Sequence, residues 1–323
     1  MLNNKYASIV VTIGLFVALF VAGSLRYPGF MSVQVVNNLL IDNAFLLIVA
    51  VGMTFVILSG GIDLSVGSMV ALTTMMSATL IEQGGWPPIA VIPFELAVGA
   101  LFGWAMGAVI HYFNIQPFIV TLAGMFLARG LCYVISIQTI TIKNEFYVAT
   151  ASAKIRLPGG SFISIGVLVA VAVALLAWYM AHYSRIGRNM YAIGGNEQSA
   201  LLMGLPVART KMFVYAFSGF CSALGGVVFT FYMLSGYGLH AVGLELDAIA
   251  AVVIGGTLLT GGVGFVAGTF VGVLIQGLIQ TIITFEGTLS SWWTKIVIGL
   301  LLFLFIVLQR VLGGRAQRSD LHS

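Results

Sequence analysis

The chain has 323 residues, of which 60% are hydrophobic and 7% charged, and its formal net charge is +4. Because a soluble domain carries roughly 25% charged residues, this composition excludes an ordinary water-soluble enzyme and indicates that lipid surrounds most of the chain. The basic residues form no patch with interleaved aromatic side chains, so the sequence does not predict binding of nucleic acid.

Long apolar runs separated by polar segments predict about ten transmembrane helices, since a helix needs about 20 apolar residues to cross a bilayer. The expected fold class is an all-α polytopic membrane protein with glycine-rich helix breaks, organised as a single transmembrane domain over 1–323. The first run lacks a clear signal-peptide cleavage site, so we interpret it as a retained span. The predicted spans are 6–25, 39–59, 64–82, 89–113, 117–137, 162–183, 213–235, 247–262, 264–285 and 291–312.

The distribution of lysine and arginine predicts the orientation of these spans. Cytoplasmic loops carry an excess of both residues, and one side of the ten-span arrangement holds eight of them whereas the other holds four. The richer side includes both termini, which we therefore expect in the cytoplasm. Its basic residues are Lys5, Arg185, Arg188, Arg209, Lys211, Arg310, Arg315 and Arg318; the other side has Arg26, Lys143, Lys154 and Arg156.

Glycines four residues apart line one face of a helix and allow a neighbouring backbone to approach closely. Two such runs occur, and we expect both to pack tightly against another helix. The first consists of Gly99, Gly103 and Gly107, and the second of Gly264, Gly268 and Gly272.

Glycine-rich interruptions occur twice, at 59–68 and 260–269, and the two segments align without gaps. Paired interruptions indicate a candidate internal repeat and a central pathway in transporters. The span count makes this repeat parallel, whereas a re-entrant half-helix near 247–262 would make it inverted. The residues expected at the path or its gate are Ser59, Gly60, Gly61, Asp63, Ser65, Gly261 and Gly262.

Asp63 lies within an apolar segment, where charge is costly and often functional. One interpretation places this carboxylate beside the pathway or in a gate. The other makes it a structural cap or ion pair, with Arg129 as the partner.

The remaining carboxylates of the apolar segments give weaker indications. Glu95 and Glu286 fit a structural role, whereas Glu245 and Asp247 are expected to cap a re-entrant helix or to meet a binding protein. The chain has no catalytic triad and no metal-ligand spacing among its histidines, so the sequence predicts no catalytic residue, metal or cofactor of its own.

Residues 184–212 form the only sizeable internal loop, and this loop predicts a helix at about 197–203. Asn196 is a good N-cap, Glu197 suits the positive end of a helix, and Gly204 followed by Pro206 is a stop signal. The apolar side chains of this helix have nothing to bury against within the loop, so we expect it to dock in a partner's groove. The alternative is a helix lying on the protein's own membrane face. The expected docking residues are Gly194, Gly195, Asn196, Glu197, Ala200, Met203 and Gly204.

Residues 194–197 with Gly204, and residues 60–67, resemble the permease subunits of bacterial sugar ABC importers, the family of the ribose, xylose and autoinducer-2 permeases. The resemblance extends over almost the whole chain. It implies that the 184–212 loop docks on a cytoplasmic ABC ATPase, which binds the ATP. It also implies a periplasmic sugar-binding protein and a second permease subunit, identical or different, in the bacterial inner membrane.

Two further segments, 245–250 and 287–295, resemble galactofuranose importer permeases most closely. They imply galactofuranose or a related monosaccharide as the cargo. Because the chain contains no GxxxxGK[ST] motif, it has no phosphate-binding loop with which to hydrolyse ATP itself.

A stand-alone transporter of a small neutral solute, driven by H⁺ or Na⁺, is the alternative function. Asp63 or Glu95 would then be the coupling carboxylate. The exposed helix at 197–203 has no role in that alternative.

Overall fold

The computed structural model describes residues 4–158, 160–288, 290 and 292–319. Within these residues the chain is mostly helical, with four short strands. The helices are α1 (Asn4–Arg26), α2 (Val33–Asp42), α3 (Ala44–Leu58), α4 (Val66–Ala78), a π-helical turn (Thr79–Gln83), α5 (Pro88–Tyr112), α6 (Pro117–Ile135), α7 (Glu145–Ser152), α8 (Ile165–Tyr183), α9 (Arg185–Gly195), α10 (Glu197–Leu202), α11 (Val207–Met233), α12 (Leu244–Ile254), α13 (Val266–Glu286) and α14 (Trp292–Ser319). The strands are β1 (Ile140–Thr141), β2 (Lys154–Arg156), β3 (Phe162–Ser164) and β4 (Ser235–Gly236), and they pair antiparallel as β1 with β4 and β2 with β3.

The all-α polytopic class is confirmed. In the described part of the chain, six helices are long and apolar enough to cross a membrane, and a seventh span results if the bent pair α2 and α3 counts as one. The predicted span 64–82 is α4 followed by the π-helical turn. The predicted span 291–312 begins at a residue outside the described ones and otherwise lies within α14.

The predicted full crossing at 247–262 is wrong. The structure has an 11-residue helix, α12, which ends at Ile254. Gly255 and Gly256 follow, and Gly256 has a φ of 92°, a left-handed conformation that a glycine adopts without strain. At 1.5 Å per residue a helix of this length is about half as long as a bilayer core is thick.

The α2–α3 pair bends by 56° at Asn43. The side-chain amide of Asn43 donates a hydrogen bond to the carbonyl oxygen of Leu39 at 2.9 Å. On its other side this amide lies so close to Gly277 of α13 that an added Cβ would collide with it. The bend is therefore fixed by a side chain that inserts at the helix end, which is a recognised cause of kinks.

Helix α3 occupies the centre of the bundle, and 14 of its 15 residues are buried. A helix that is apolar on every side is expected in such a position. Its Gly52 lies against α11, where an added Cβ would be 2.8 Å from the Cβ of Cys221.

The first glycine run packs as predicted, and so do Gly268 and Gly272 of the second, whereas Gly264 precedes α13 and lies against the side chain of Thr257. A Cβ added to Gly99 would lie 2.5 Å from the carbonyl oxygen of Gly219, and one on Gly103 would collide with the carbonyl of Tyr215, so α5 and α11 are in backbone contact. In the second run Gly268 and Gly272 of α13 face the carbonyls of Gly255 and Ala251 at the end of α12. These contacts hold the helices at a separation that no larger residue permits.

Helix α1 is fastened to the far end of the sequence at two levels. The hydroxyl of Thr12 donates to the carbonyl oxygen of Ile254 at 2.6 Å, and the hydroxyl of Tyr27 donates to the carboxylate of Glu286. Tyr27 also stacks obliquely on Phe285, at 5.9 Å between ring centroids. The first span is therefore an integral part of the bundle.

Candidate functional site

The first helix break, residues 59–65, connects α3 to α4 and is built around Asp63. This side chain is fully buried. Its Oδ1 accepts hydrogen bonds from the backbone N–H and the hydroxyl of Ser65, at 2.9 and 2.7 Å, and its Oδ2 accepts one from the hydroxyl of Ser218 at 2.7 Å. Buried charge is tolerated only where its hydrogen-bonding capacity is met, and here the carboxylate holds the break against α11.

The predicted ion pair between Asp63 and Arg129 is wrong. The guanidinium of Arg129 instead donates to the carbonyl oxygens of Gly238 and His240, at 2.7 and 2.8 Å. These carbonyls belong to a segment between α11 and α12 that packs against Cys132 of α6. Irregular backbone buried in a bundle needs partners for its polar groups, and Arg129 supplies them there.

The second helix break, residues 255–265, connects α12 to α13 and relies on glycines. Gly256, Gly261 and Gly262 have φ values of 92°, 87° and 75°. The N–H of Gly262 donates to the carbonyl oxygen of Leu58 at 2.9 Å, which joins this break to the last residue of α3. A Cβ added to Gly261 would also lie 2.8 Å from the Cα of Gly60, so the two segments that the sequence aligned as a candidate repeat are in direct contact.

The two break units run in the same direction. Hydroxyls of Thr54 in α3 and Thr269 in α13 lie 2.7 Å apart, and Leu58 reaches Gly262, so α3 is antiparallel to α13. Helix α12 is also antiparallel to α13, because Ala251 faces Gly272 and Gly255 faces Gly268. Although α12 is a half-helix, the feature that the sequence linked to an inverted repeat, α3 and α12 enter their breaks in the same direction, and the geometry therefore agrees with the parallel alternative.

The 184–212 loop lies directly on both breaks. A Cβ on Gly194 would collide with the carbonyl oxygen of Leu58 and would be 2.5 Å from the nitrogen of Gly262. A Cβ on Gly261 would lie 2.8 Å from the Cα of Gly60 and 3.0 Å from the carbonyl oxygen of Gly194. We call Gly60, Gly194, Gly195, Gly261 and Gly262 the glycine junction. Residues that the sequence assigned separately to docking and to the gate therefore meet at one place.

Tyr191 of α9 is a further junction contact, and the sequence did not single it out. Its hydroxyl donates to the carbonyl oxygen of Gly264 at 2.9 Å. Burial raises the pKa of Tyr191 to about 12, so the hydroxyl stays protonated as a donor. The amphipathic pattern of α9, with Gly187, Met190 and Ile193 buried, was the signal that could have identified it.

Helix α10 spans Glu197–Leu202, close to the predicted 197–203. The side chain of Asn196 accepts a hydrogen bond from the N–H of Ser199 at 2.8 Å, and Gly204 ends the segment with a φ of 75°. Glu197 forms an ion pair with Lys211 of α11 at 2.7 Å. The caps that the sequence predicted are therefore present, and the ion pair ties α10 to a long helix.

The apolar residues of α10 divide into two groups. Ala200 is fully buried in a small cluster with Ile193 and Val207, so it has a partner within the loop, contrary to the prediction. The other three are exposed and form what we call the apolar ridge, namely Leu201 (58% exposed), Leu202 (87%) and Met203 (67%).

The remaining carboxylates lie away from the junction. Glu95 is buried and accepts a hydrogen bond from Ser77 at 2.7 Å. Asp247, in the first turn of α12, forms an ion pair with Lys295 of α14 at 2.5 Å. Glu245 lies beside Gly67 of α4.

Comparison with known proteins places the chain in a family. Residues 35–306 match the family described as branched-chain amino acid transport system / permease component. The chain belongs to this permease family. It is a multi-pass membrane protein of a family of transport subunits rather than of enzymes.

The curated relatives are ABC transporter permeases. The inner membrane ABC transporter permease protein YjfF of Escherichia coli is 51% identical over 302 residues, covering 94% of this chain and 91% of the relative. The fructose import permease protein FruG of Bifidobacterium longum is 39% identical, covering 96% and 92%. The ribose import permease protein RbsC of Haemophilus influenzae is 38% identical, covering 90% of each chain. No solved structure matches the chain.

Proposed function

We propose that the chain is the membrane-spanning subunit of an ATP-driven importer and that the 184–212 loop couples it to a separate cytoplasmic ATPase. One observation carries this proposal. The α9–α10 segment contacts both helix breaks through the glycine junction while it exposes the apolar ridge beyond the bundle. A partner that moves the ridge therefore moves the two breaks together.

The contacts of the junction favour efficient transmission of such a movement. Backbone touches backbone at Gly194 and Gly262, without flexible side chains between them. Close-packed interiors have low compressibility and transmit displacement. The ion pair of Glu197 with Lys211 adds a second link, because α11 packs against α3 and carries Ser218, the partner of Asp63.

The cargo that we propose is a monosaccharide. Two relatives are named for the import of fructose and of ribose, and a third for the transport of D-allose. Galactofuranose, or a related sugar, is the specific cargo we propose, on the resemblance carried by 245–250 and 287–295. The ion pair between Asp247 and Lys295 joins these two segments.

The complete importer that we propose has four kinds of part. A periplasmic sugar-binding protein delivers the cargo, this chain and a second permease subunit, identical or different, surround the path, and the ATPase binds the ATP. The α9–α10 end of the bundle faces the cytoplasm and both termini lie on that side. The lysine and arginine count supports this orientation. The membrane is the bacterial inner membrane, as in the name of YjfF.

Reconstitution tests the proposal. The chain is placed in vesicles with a candidate ATPase, second permease and binding protein, and uptake of radiolabelled galactose is followed with and without ATP. We expect uptake only when ATP and the ATPase are both present. Uptake by this chain alone, driven by a proton or sodium gradient, would contradict the importer and support the ion-coupled alternative. Purification of the tagged chain, followed by mass-spectrometric identification of the proteins bound to it, decides whether the second permease subunit is identical to this chain or different from it.

A further inference from the structure

A polar cleft lies between α2 and α13, at the end of α13 opposite the glycine junction. It has a volume of about 180 Å³ and is lined by Asn38, Asp42, Gln280, Thr281, Thr284 and Phe285. Asn43 and Gly277, which fix the bend between α2 and α3, also border it. The cleft is separate from the two helix breaks, because those lie at the other end of α3 and α13.

The exposure of these side chains requires an explanation. Asn38 and Asp42 on α2, and Gln280 and Thr284 on α13, are all exposed and are spaced by four residues on each helix, so each pair lies on one face. Amide and carboxylate groups facing hydrocarbon are costly. This face therefore meets water, a polar ligand or another protein subunit.

The hydrogen bonds within the cleft determine which ligand fits. The hydroxyl of Thr281 donates to the carbonyl of Gly277, and that of Thr284 donates to the carbonyl of Gln280, each at 2.9 Å. Their protons are thus used by the helix, and their lone pairs remain as acceptors. Asp42 is a further acceptor. A cleft rich in acceptors favours a ligand that brings O–H donors, and the Asp42 carboxylate disfavours phosphate or carboxylate ligands.

We infer that this cleft is a reception site for the neutral, polyhydroxylated cargo on the outer side of the membrane. The amide of Gln280 supplies both a donor and acceptors, and the ring of Phe285, 39% exposed, offers an apolar surface for the C–H face of a sugar. The inference rests on the proposed function, since it assigns a place to the cargo of that importer. It also places the cargo next to the Asn43 bend, on the helix pair that leads to the first break.

Two isosteric substitutions test the site without changing its volume. Thr284→Val removes an acceptor and Gln280→Met removes the amide, and Thr139→Val, at an exposed threonine near β1 and outside the cleft, is the matched control. The complete complex is assembled in nanodiscs with each variant. Binding of D-galactose to the complex without binding protein is measured by saturation-transfer NMR, and uptake per ATP hydrolysed is measured in vesicles.

We expect each cleft substitution to weaken galactose binding about fivefold, the effect of losing one neutral hydrogen bond. The double variant Gln280→Met/Thr284→Val should lower uptake per ATP by a similar or larger factor, with the ATPase rate within about twofold of the wild type. Asp42→Asn should bind galactose within about twofold of the wild type, because a neutral amide still accepts hydrogen bonds. D-Galacturonate should bind the wild type more weakly than D-galactose does.

Several outcomes would overturn the inference. Unchanged binding and uptake in the double variant would show that cargo does not use the cleft. Loss of the second permease on purification of the variants would show that the cleft is a subunit interface. Loss of galactose binding in Asp42→Asn, with sodium dependence in the wild type, would make it a cation site. Absence of ATP-driven uptake by the wild type would instead contradict the proposed function, and the NMR titration would still decide whether the cleft binds sugar.

Discussion

The two helix breaks are held in place by different chemistry. In the first, Asp63 and Ser65 hold the backbone through side-chain hydrogen bonds, and Ser218 connects them to α11. In the second, Gly264 stands at the position aligned with Asp63, and the turn depends on glycines with left-handed φ. The first break is thus fixed to the bundle core by a carboxylate, whereas the second is held by contact with its neighbours. The comparison teaches that two segments of similar sequence are stabilised by different interactions, one by side-chain hydrogen bonds and the other by close backbone contacts.

The largest effect is expected at Gly194, because a side chain there presses on both breaks at once. Gly194→Val should lower the free energy of unfolding by more than about 3 kcal/mol and abolish ATP-driven uptake. Gly130→Val in α6 is the matched control, since a Cβ at Gly130 has no atom within 4 Å in the described structure. Thermal unfolding in detergent measures the difference in stability. Equal stability of the two variants would contradict the close packing of Gly194 against the two breaks.

The next largest effect concerns the first break alone. Asp63→Ala leaves the N–H and hydroxyl of Ser65 and the hydroxyl of Ser218 without their buried acceptor, which should cost about 2–3 kcal/mol of unfolding free energy. Asp63→Asn keeps one hydrogen-bond acceptor and should therefore lose less unfolding free energy than Asp63→Ala does. If Asp63→Ala unfolds at the wild-type temperature, the carboxylate does not stabilise the break, and a role in ion coupling gains support.

The second break should respond to backbone strain instead. Gly262→Ala forces a Cβ into a conformation with φ of 75° and to within 2.7 Å of the nitrogen of Gly195. The conformational part alone costs about 1–2 kcal/mol. The same substitution at Gly130, which has no left-handed φ and no atom within 4 Å of an added Cβ in the described structure, tests whether strain or loss of glycine as such matters. Equal losses of stability in the two variants would argue against strain.

A smaller effect is expected at the contact between α9 and the second break. Tyr191→Phe removes the hydrogen bond to the carbonyl of Gly264 and should cost about 1 kcal/mol, without altering the first break. Hydrogen exchange of 255–265 should increase in this variant, while that of 59–65 stays as in the wild type. Increased exchange in both segments would mean that the two breaks open as one unit.

The smallest change in stability is expected on the apolar ridge. Leu202→Asp should alter the unfolding free energy by less than about 0.5 kcal/mol, because the side chain is exposed, yet it should reduce ATPase co-purification about tenfold or more. Met31→Asp, at a residue that is also exposed but lies near the opposite end of the bundle, serves as the control. Normal ATPase retention by Leu202→Asp would contradict the proposed docking surface.

The sequence predicted well what depends on composition and short-range spacing. The low content of charged residues predicted a membrane protein. Asn196, Glu197 and Gly204 predicted the bounds of α10, because helix capping depends on residues only a few positions apart. The glycine runs also identified their packing role, since spacing of four residues places them on one helix face.

The spacing of residues along the chain does not predict contacts between segments that are far apart in the sequence. The prediction paired Arg129 with Asp63 because their charges are opposite. In the structure the guanidinium of Arg129 instead donates hydrogen bonds to backbone carbonyls, which every residue carries and which the sequence pattern therefore does not single out. The meeting of Gly194 with Leu58 and Gly262 likewise joins positions far apart in the chain, and nothing local marks it. The apolar run at 247–262 was long enough for a span, so the sequence left a full crossing and a half-helix both open, and the structure decides for the half-helix that ends at Ile254.

The attachment of α1 has a consequence for how the protein is made. Thr12 and Tyr27 bond to Ile254 and Glu286, separated from them by 242 and 259 positions. Helix α1 therefore docks only after α12 and α13 have been synthesised and inserted, which makes its docking a late event of assembly. Removal of α1 would disturb the end of α12 and the C-terminal end of α13.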